Sequence, residues 1–307
     1  MITFDKLMLV STLDSIVILD PGKFSSRYED DELVSLKMTM KQPFSLDIEI
    51  NYDKGEVILE FTGKVLGERY PELISLNTIQ ECFRRINALG IFEIDMEKMM
   101  SAQVMKCDVT KDVPVTDISA LNRFIRGHIK NYNAYSCRLL LNGNLIVEKN
   151  VTGRRYKRRI TLYDKGKEMM KSDRQDFTVG NGLQDRFDGL CRFEMNLTSQ
   201  QAILDTLGIT GATLMEVLRS ERNPIEDFLN EVLQDDVEAD AQDTWKTYCQ
   251  KLVLRDCDYD MAKVEARLRY YKNGGIKRAK QPYIELLESL TGRTSTWTKQ
   301  KVLDAVK

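Results

Sequence analysis

Between residues 6 and 63 the chain alternates apolar and polar side chains at period two, in "KLMLV", "SIVILD", "LVSLKMTM", "FSLDIEI" and "EVILEFTG". Such a period turns one side of each segment toward a core and the other toward water, the pattern of antiparallel strands. "NYDKGE" reads as a turn between the last two segments, so a meander is expected. A helix is expected over 76–89, stopped by Gly90, then a strand at 102–110 and a helix at 116–131. "CRLLLNGNLIVEK" reads as a hairpin around Asn142-Gly143, a pair that tolerates the positive φ of a tight turn. A strand at 158–163, a short helix to about 172, a loop "TVGNGLQDRFDG", a strand at 189–197 and a helix at 199–207 follow.

After Gly208 the pattern is helical, with segments expected at 211–221, 224–236, 241–254, 259–273, 276–290 and 296–306. The expected class is therefore α+β: a central antiparallel sheet with helices on one face in residues 1–208, followed by an all-helical region in 209–307. No internal repeat or proline-rich linker is visible. At 307 residues the chain can bury a substantial core. It contains no run of about 18 apolar residues, and its start, "MITFDKLMLVSTLDS", carries acids where a secretory signal needs bases. A cytoplasmic chain without a membrane partner is expected.

The six cysteines form no C-x-x-C pair, and several lie inside apolar strand patterns, so reduced core thiols are expected. His128 is the only histidine, which excludes a two-histidine metal site; a surface or helix-packing role is expected for it. Neither G-x-x-x-x-G-K-[ST] nor G-x-G-x-x-G occurs, which argues against ATP-driven chemistry.

The net charge of −2 conceals strong patterning. From Lys149 to Lys167 there are eight bases (Lys149, Arg154, Arg155, Lys157, Arg158, Arg159, Lys165, Lys167) against Asp164 alone. From Lys263 to Lys280 there are seven bases to one acid, and from Glu226 to Asp243 eight acids and no base. Each cationic run is a surface suited to a polyanion, or else a solvated face. The second run interleaves its bases with Tyr270 and Tyr271 on a helix that ends at Gly274-Gly275, which reads either as a surface for duplex DNA or as a plain amphipathic helix with a basic outer face.

Three strand patterns share one irregularity. In "QVMKCDVTKD" alternation puts Lys106, Asp108, Thr110 and Asp112 on one face; in "LCRFEMNL" it puts Arg192, Glu194 and Asn196 together; in "RRITLY" it groups Arg159, Thr161 and Tyr163. If these strands share a sheet, its uncovered face carries carboxylates, arginines and a tyrosine. Asp108 and Glu194, with Glu168 as a candidate third, make an oxygen-rich site for Mg²⁺ or Mn²⁺. Tyr163 becomes a nucleophile if a cation favours its phenolate. Lys165 shares the face of Tyr163 if the strand continues, and Lys167 is its i+4 neighbour if a helix starts at once; either is a cation for a phosphate. The bases preceding Tyr163 would track a nucleic-acid backbone.

"ITLYDKGKEM", followed by "CRFEMNL" and "ILDTLGI" and preceded by "VMKCDVTKD", resembles the filamentous-phage gene II/X replication initiators and the related plasmid rolling-circle Rep proteins. The resemblance spans roughly residues 1–210. It matches Tyr163, Lys165 and Glu168 to a Y-x-K-x-x-E segment, Arg192, Phe193 and Glu194 to an R-F-E strand, and Lys106 and Asp108 to an earlier strand. "FTGKVLGERYPELISLNTI" is similar to a further region and puts Lys64 and Gly67 at matching positions, with Glu68-Arg69 in place of a small polar pair.

The resemblance implies a Rep nuclease-like fold and a metal-dependent enzyme that nicks and rejoins one DNA strand at an origin. A 5′-phosphotyrosine would form on Tyr163; Tyr156 is expected to be a strand-surface residue, with a second acceptor as the alternative. Asp108, Glu194 and Glu168 would hold the metal; Lys64, Arg154, Arg155, Lys157, Arg158, Arg159 and Arg192 would contact DNA. Origin DNA, single-stranded or supercoiled, is the implied partner, with a host helicase as a candidate. The alternative is a non-catalytic single-stranded nucleic-acid-binding protein, for which Asp108 and Glu194 are surface acids.

Overall fold

In the computed structural model, which describes residues 2–130, 134–151, 156–233, 244–257, 260–272, 274–294 and 297–307, the alternating segments become strands. They are β1 (Phe4–Thr12), β2 (Ile16–Ile18), β3 (Ser25–Glu29), β4 (Glu32–Met40), β5 (Leu46–Asn51) and β6 (Glu56–Thr62). A 3₁₀ segment, Gly63–Glu72, leads into α1 (Ile79–Asn87), β7 (Phe92–Ile94) and α2 (Met96–Met100). The chain continues through β8 (Gln103–Pro114), α3 (Ile118–Gly127), β9 (Tyr135–Leu139), β10 (Leu145–Lys149) and β11 (Arg159–Asp164). Next come α4 (Lys165–Met169), α5 (Ser172–Gly180), β12 (Leu190–Leu197) and α6 (Gln200–Leu207). Helices α7 (Leu214–Leu218), α8 (Pro224–Val232), α9 (Trp245–Asp256), α10 (Met261–Tyr271), α11 (Ile276–Thr294) and α12 (Lys299–Val306) complete it.

Ten strands form one sheet in the order β3-β4-β5-β6-β1-β8-β12-β11-β10-β9, and every neighbouring pair is antiparallel. The chain traces one path twice. A lead strand (β1, then β8) is followed by a four-strand meander (β3 to β6, then β9 to β12) whose last strand returns to pair with its lead. The two leads meet at the centre, with Leu7 opposite Cys107 and Lys6 opposite Asp108. No repeat is legible in the sequence, because this duplication lies in pairing and not in residue identity.

One face of the sheet is apolar along both halves. Leu7, Leu9, Leu59, Phe61, Ile160, Leu162, Phe193, Met195 and Leu197 are buried there with Cys82, Phe83 and Ile86 of α1, Leu121, Phe124 and Ile125 of α3, and Phe228 and Val232 of α8. Phe61 and Phe83 meet edge to face at 6.1 Å. Each fully buried Leu or Phe contributes about 1.5–3 kcal/mol, so this face carries most of the fold's stability. All six cysteines are free. Burial pushes the thiols of Cys82 and Cys191 up to about 12, in keeping with reduced core residues.

The principal core does not end at 208. Leu214, Val217, Ile225, Phe228 and, from the far end of the chain, Val302, Leu303 and Val306 belong to it. Leu254, Cys257, Val264 and Leu286, from α9 to α11 and the turn after α9, form a separate small cluster. The change of texture at 208 thus marks where strands stop among the described residues, while α7, α8 and α12 still pack on the sheet.

Contrary to the expectation, helices are not confined to one face. At the β11–β12 end, the polar face is covered by a cap built from Tyr70 and Leu73, Met169 of α4, and Leu183 and Phe187, with Phe177 of α5 packed against it. Helix α5 runs to Gly180, into residues expected as the start of a loop. Its polar sequence gives little helical signal; Thr178, which donates to the Met169 carbonyl at 3.2 Å, and Phe177 hold it down.

Candidate functional site

Tyr163 stands one residue before the end of β11, opposite Arg192 of β12, and Thr161 stands opposite Glu194. Since alternate residues share a face, Tyr163 and Glu194 project to the same side, and the Tyr163 hydroxyl donates to Glu194 Oε2 at 2.9 Å. The network continues along β12 into β8. Asn196 Nδ2 donates to Glu194 Oε1 at 3.1 Å and to Asp108 Oδ1 at 2.7 Å, Asn196 and Asp108 being cross-strand partners. Arg159 Nη2 donates to Asn196 Oδ1 at 3.3 Å. The sheet thus joins Tyr163, Glu194, Asn196 and Asp108 in one hydrogen-bonded chain.

Burial and the nearby Glu194 push the Tyr163 phenol far above its ordinary range, so it is protonated and acts as donor. The expected activation by neighbouring cations is not the resting state; Glu194 is placed to take the proton instead. Burial also raises Asp108, to about 6; Glu194 adds to this, and the Asn196 hydrogen bond opposes it. Lys6, opposite Asp108 on β1, is ion-paired with Glu60.

Helix α4 starts at once after β11 because Asp164 caps it, accepting from the Lys167 backbone N–H at 2.9 Å. This turn sends Lys165 inward, where it is 1% exposed, and leaves Lys167 at the surface beside Asp164 at 3.2 Å. Lys165 Nζ donates to Tyr70 Oη at 2.9 Å and to Glu168 Oε2 at 2.6 Å, and lies 5.9 Å from the centre of the Tyr163 ring. Burial, reinforced by Arg192, pulls its ammonium down to about 7, while Asp5 and Asp112 oppose the shift.

Arg192 is placed differently from the expectation. It is 0% exposed, so it does not stand on an open face ready for phosphate. Its Nε and Nη2 donate to the two oxygens of Asp112 at 2.6 Å each, and Nη1 donates to Tyr70 Oη at 2.9 Å. The same Nη1 lies 3.2 Å from Asp5 Oδ1, an ion-pair distance without hydrogen-bond alignment. Burial would raise the Asp5 carboxyl, but Arg192 and then Lys165 outweigh it and hold it below its ordinary value. The reason for the correction is the cap: Tyr70 closes over the sheet and accepts from both cations.

Glu168 is corrected as well. It pairs with Lys165 and Arg174 and does not join Asp108 and Glu194. Among the described residues, no group of three or more His, Cys, Asp or Glu side chains is arranged to hold a metal ion. Asp108 and Glu194 supply carboxylate oxygens of the kind that suit a hard divalent cation, whereas the group between them is the Asn196 Nδ2 donor, whose amide oxygen accepts from Arg159; burial and the neighbouring Glu194 raise the Asp108 carboxyl.

The remaining expected contacts are scattered. Lys64 is half-buried at the cap, 5.2 Å from the Phe177 ring centre, and burial, then Arg174, lowers its pKa. Lys157 pairs with Glu148 at 3.0 Å and Arg158 with Glu231 at 2.6 Å, so two members of the cationic run are already met by acids. Arg159 stays exposed beside Asn196. Arg154 and Arg155 lie outside the described residues, as does 234–243 of the acidic segment. Tyr156 packs on the core and donates to the Asn196 carbonyl at 2.8 Å, a structural place for the second tyrosine. His128 stacks on Phe124 at 3.9 Å in the interior, which is its helix-packing alternative.

Tyr70 and Asp5 were not foreseen. Asp5 had a signal: core positions run Ile2, Phe4 and then Leu7, Leu9, a phase break, and the β1–β8 register shifts between Phe4 and Lys6. Tyr70 had none, since a 3₁₀ segment has no periodicity to read. Comparison with protein-family models, curated proteins and solved structures returned no match to any of them.

Proposed function

We propose that the protein is a rolling-circle replication initiator that nicks and rejoins one DNA strand through a 5′-phosphotyrosine at Tyr163. The observation that carries this reading is the hydrogen bond from the Tyr163 hydroxyl to Glu194, a nucleophile and base at 2.9 Å on a rigid sheet. The motif order of the filamentous-phage and plasmid initiators, and a Rep nuclease-like fold built on this sheet, belong to the same proposal. Origin DNA, single-stranded or supercoiled, is its partner, and a host helicase is a candidate second one.

In the proposed reaction the Tyr163 oxygen attacks the phosphorus of a phosphodiester and its proton passes to Glu194. The bond from phosphorus to the 3′ oxygen breaks, and that oxygen takes up a proton to leave as a 3′ hydroxyl; Lys165 is the candidate donor. The new phosphotyrosine ester keeps the energy of the broken bond, so the reverse attack by a 3′ hydroxyl reseals the strand and restores the tyrosine. Asp108 and Glu194 would hold a divalent cation, Mg²⁺ or Mn²⁺, which supplies charge to polarise a phosphoryl oxygen. Arg192 acts at one remove in this scheme, by fixing Tyr70 and through it Lys165.

The test is incubation with supercoiled DNA and labelled single-stranded origin oligonucleotides plus Mn²⁺ or Mg²⁺, run on denaturing gels. A covalent protein–DNA band that disappears with EDTA and in Tyr163→Phe is the expected result. An adduct in Tyr163→Phe would sink the assignment. A second reading, a non-catalytic single-stranded nucleic-acid-binding protein, is favoured by the burial of the Tyr163 phenol. It predicts binding that EDTA does not touch and no adduct under any metal.

A further inference from the structure

Helix α10 has two faces with opposite demands. Val264 and Leu268 turn inward to the small cluster shared with Leu254, Cys257 and Leu286. Lys263, Ala266, Arg267, Tyr270 and Tyr271, at spacings of three, four, seven and eight, form an outward stripe lining a groove of about 340 Å³. A lone exposed tyrosine is ordinary. Here Tyr270 and Tyr271 are adjacent, 83% and 76% exposed, with ring centres 4.9 Å apart at 82°.

The surroundings are cationic. Lys263, Arg267, Arg269 and Lys272 are exposed on or just after α10, and Lys277 and Arg278 are exposed at the start of α11. Acids offset part of this: Arg267 lies 3.3 Å from Asp256, while Glu265 takes both Arg269 and Lys280. The excess is positive. The apolar residues of α10 are committed inward, so the stripe presents no Leu, Phe or Trp to insert into a lipid surface. Aromatic faces bordered by Arg and Lys are what a single-stranded polynucleotide requires, one element for its unstacked bases and the other for its phosphates.

We propose that the α10 stripe is a single-stranded DNA-binding site, in which bases stack on Tyr270 and Tyr271 while Lys263, Arg267 and the α11 bases follow the backbone. This site does not depend on the chemistry at Tyr163 and stands if that reading fails. The experiment is fluorescence anisotropy of a labelled oligothymidylate with the 307-residue chain across a salt series. The Tyr270→Ala/Tyr271→Ala double variant is expected to bind about 10- to 100-fold more weakly, and Tyr270→Phe/Tyr271→Phe within about twofold of wild type, because stacking needs the ring and not the hydroxyl. Arg267→Ala/Arg278→Ala is expected to flatten the slope of log affinity against log salt by about 0.7 for each phosphate that the variant no longer neutralises.

Wild-type affinity in the double alanine variant overturns the proposal, as does an equal loss in the phenylalanine variant. Preferential binding of duplex, or binding of anionic vesicles that the alanine variant abolishes while oligonucleotide binding persists, also overturns it. Run with EDTA, anisotropy reads binding without any covalent adduct, which separates this test from that of the nicking reaction.

Discussion

The two halves of the sheet share a strand path and differ in what lies over their polar face. In the first half, β3 to β6 turn charged residues to water, and these meet as surface pairs such as Lys37–Glu49 at 3.7 Å. In the second half, β8, β11 and β12 carry similar residue types, but the 3₁₀ segment, α4 and α5 close over one end. Arg192 and Lys165 become interior cations and the phenols of Tyr70 and Tyr163 are pushed up. The difference teaches that chemistry on a sheet face comes less from which side chains alternate outward than from what excludes water above them.

The strongest way to break this comparison is to exchange one residue on equivalent strands. Tyr163→Phe on β11 is expected to abolish the covalent adduct, whereas Glu49→Gln on β5, the corresponding strand of the first half, should leave adduct yield within about twofold; denaturing gels read both. Equal loss in the two variants would remove the distinction between the halves.

Stability separates them next. Arg192→Met strands Asp112 and Asp5 without their cation, for an expected cost of about 3–5 kcal/mol in urea unfolding, against about 0–1 kcal/mol for Lys37→Met. A cost for Arg192→Met as small as that for Lys37→Met would mean that water reaches under the cap. Tyr70→Phe removes the oxygen that accepts from both Lys165 and Arg192 and should cost about 1–3 kcal/mol with the fold retained, measured the same way.

The smallest effect concerns Glu148, on β10 near the second half's edge. Burial would raise its carboxyl, but hydrogen bonds from Lys157 and Ser136 and the charge of Arg138 hold it below its ordinary value. A lowered folded pKa means the unfolded chain binds more protons as pH falls, so the stabilisation is present above the unfolded pKa and lost as pH drops through the folded one. Glu148→Gln should therefore cost about 1 kcal/mol at pH 7, and the two unfolding curves should converge below about pH 4. A gap that persisted at low pH would assign Glu148 a packing role.

Much of the site was legible strand by strand. Alternation grouped Asp108 with Asp112, Arg192 with Glu194 and Asn196, and Thr161 with Tyr163, and their hydrogen bonds follow that grouping. Alternation failed for Arg192 in another respect, since a face assignment carries no knowledge of what sits above the face. It failed for Glu168 because a helix of five residues offers several directions, and the buried Lys165 ammonium drew that carboxylate away from Asp108. The cationic run before Tyr163 read as open positive charge, yet Glu148 and Glu231 reach Lys157 and Arg158 from distant strand and helix positions.

What the amino-acid order by itself determined is the antiparallel, half-apolar character of the strands and the helical nature of the described segments after 208. These follow from local periodicity and side-chain chemistry, which need no partner to be expressed. Only the tertiary structure decided that two meanders return to adjacent lead strands, that α12 rejoins the core from the chain's end, and that Tyr70 and Asp5 complete the surroundings of Lys165 and Arg192. Those outcomes depend on contacts between residues as far apart as Tyr70 and Arg192, where water exclusion sets the strength of every charge, and local periodicity holds no record of them.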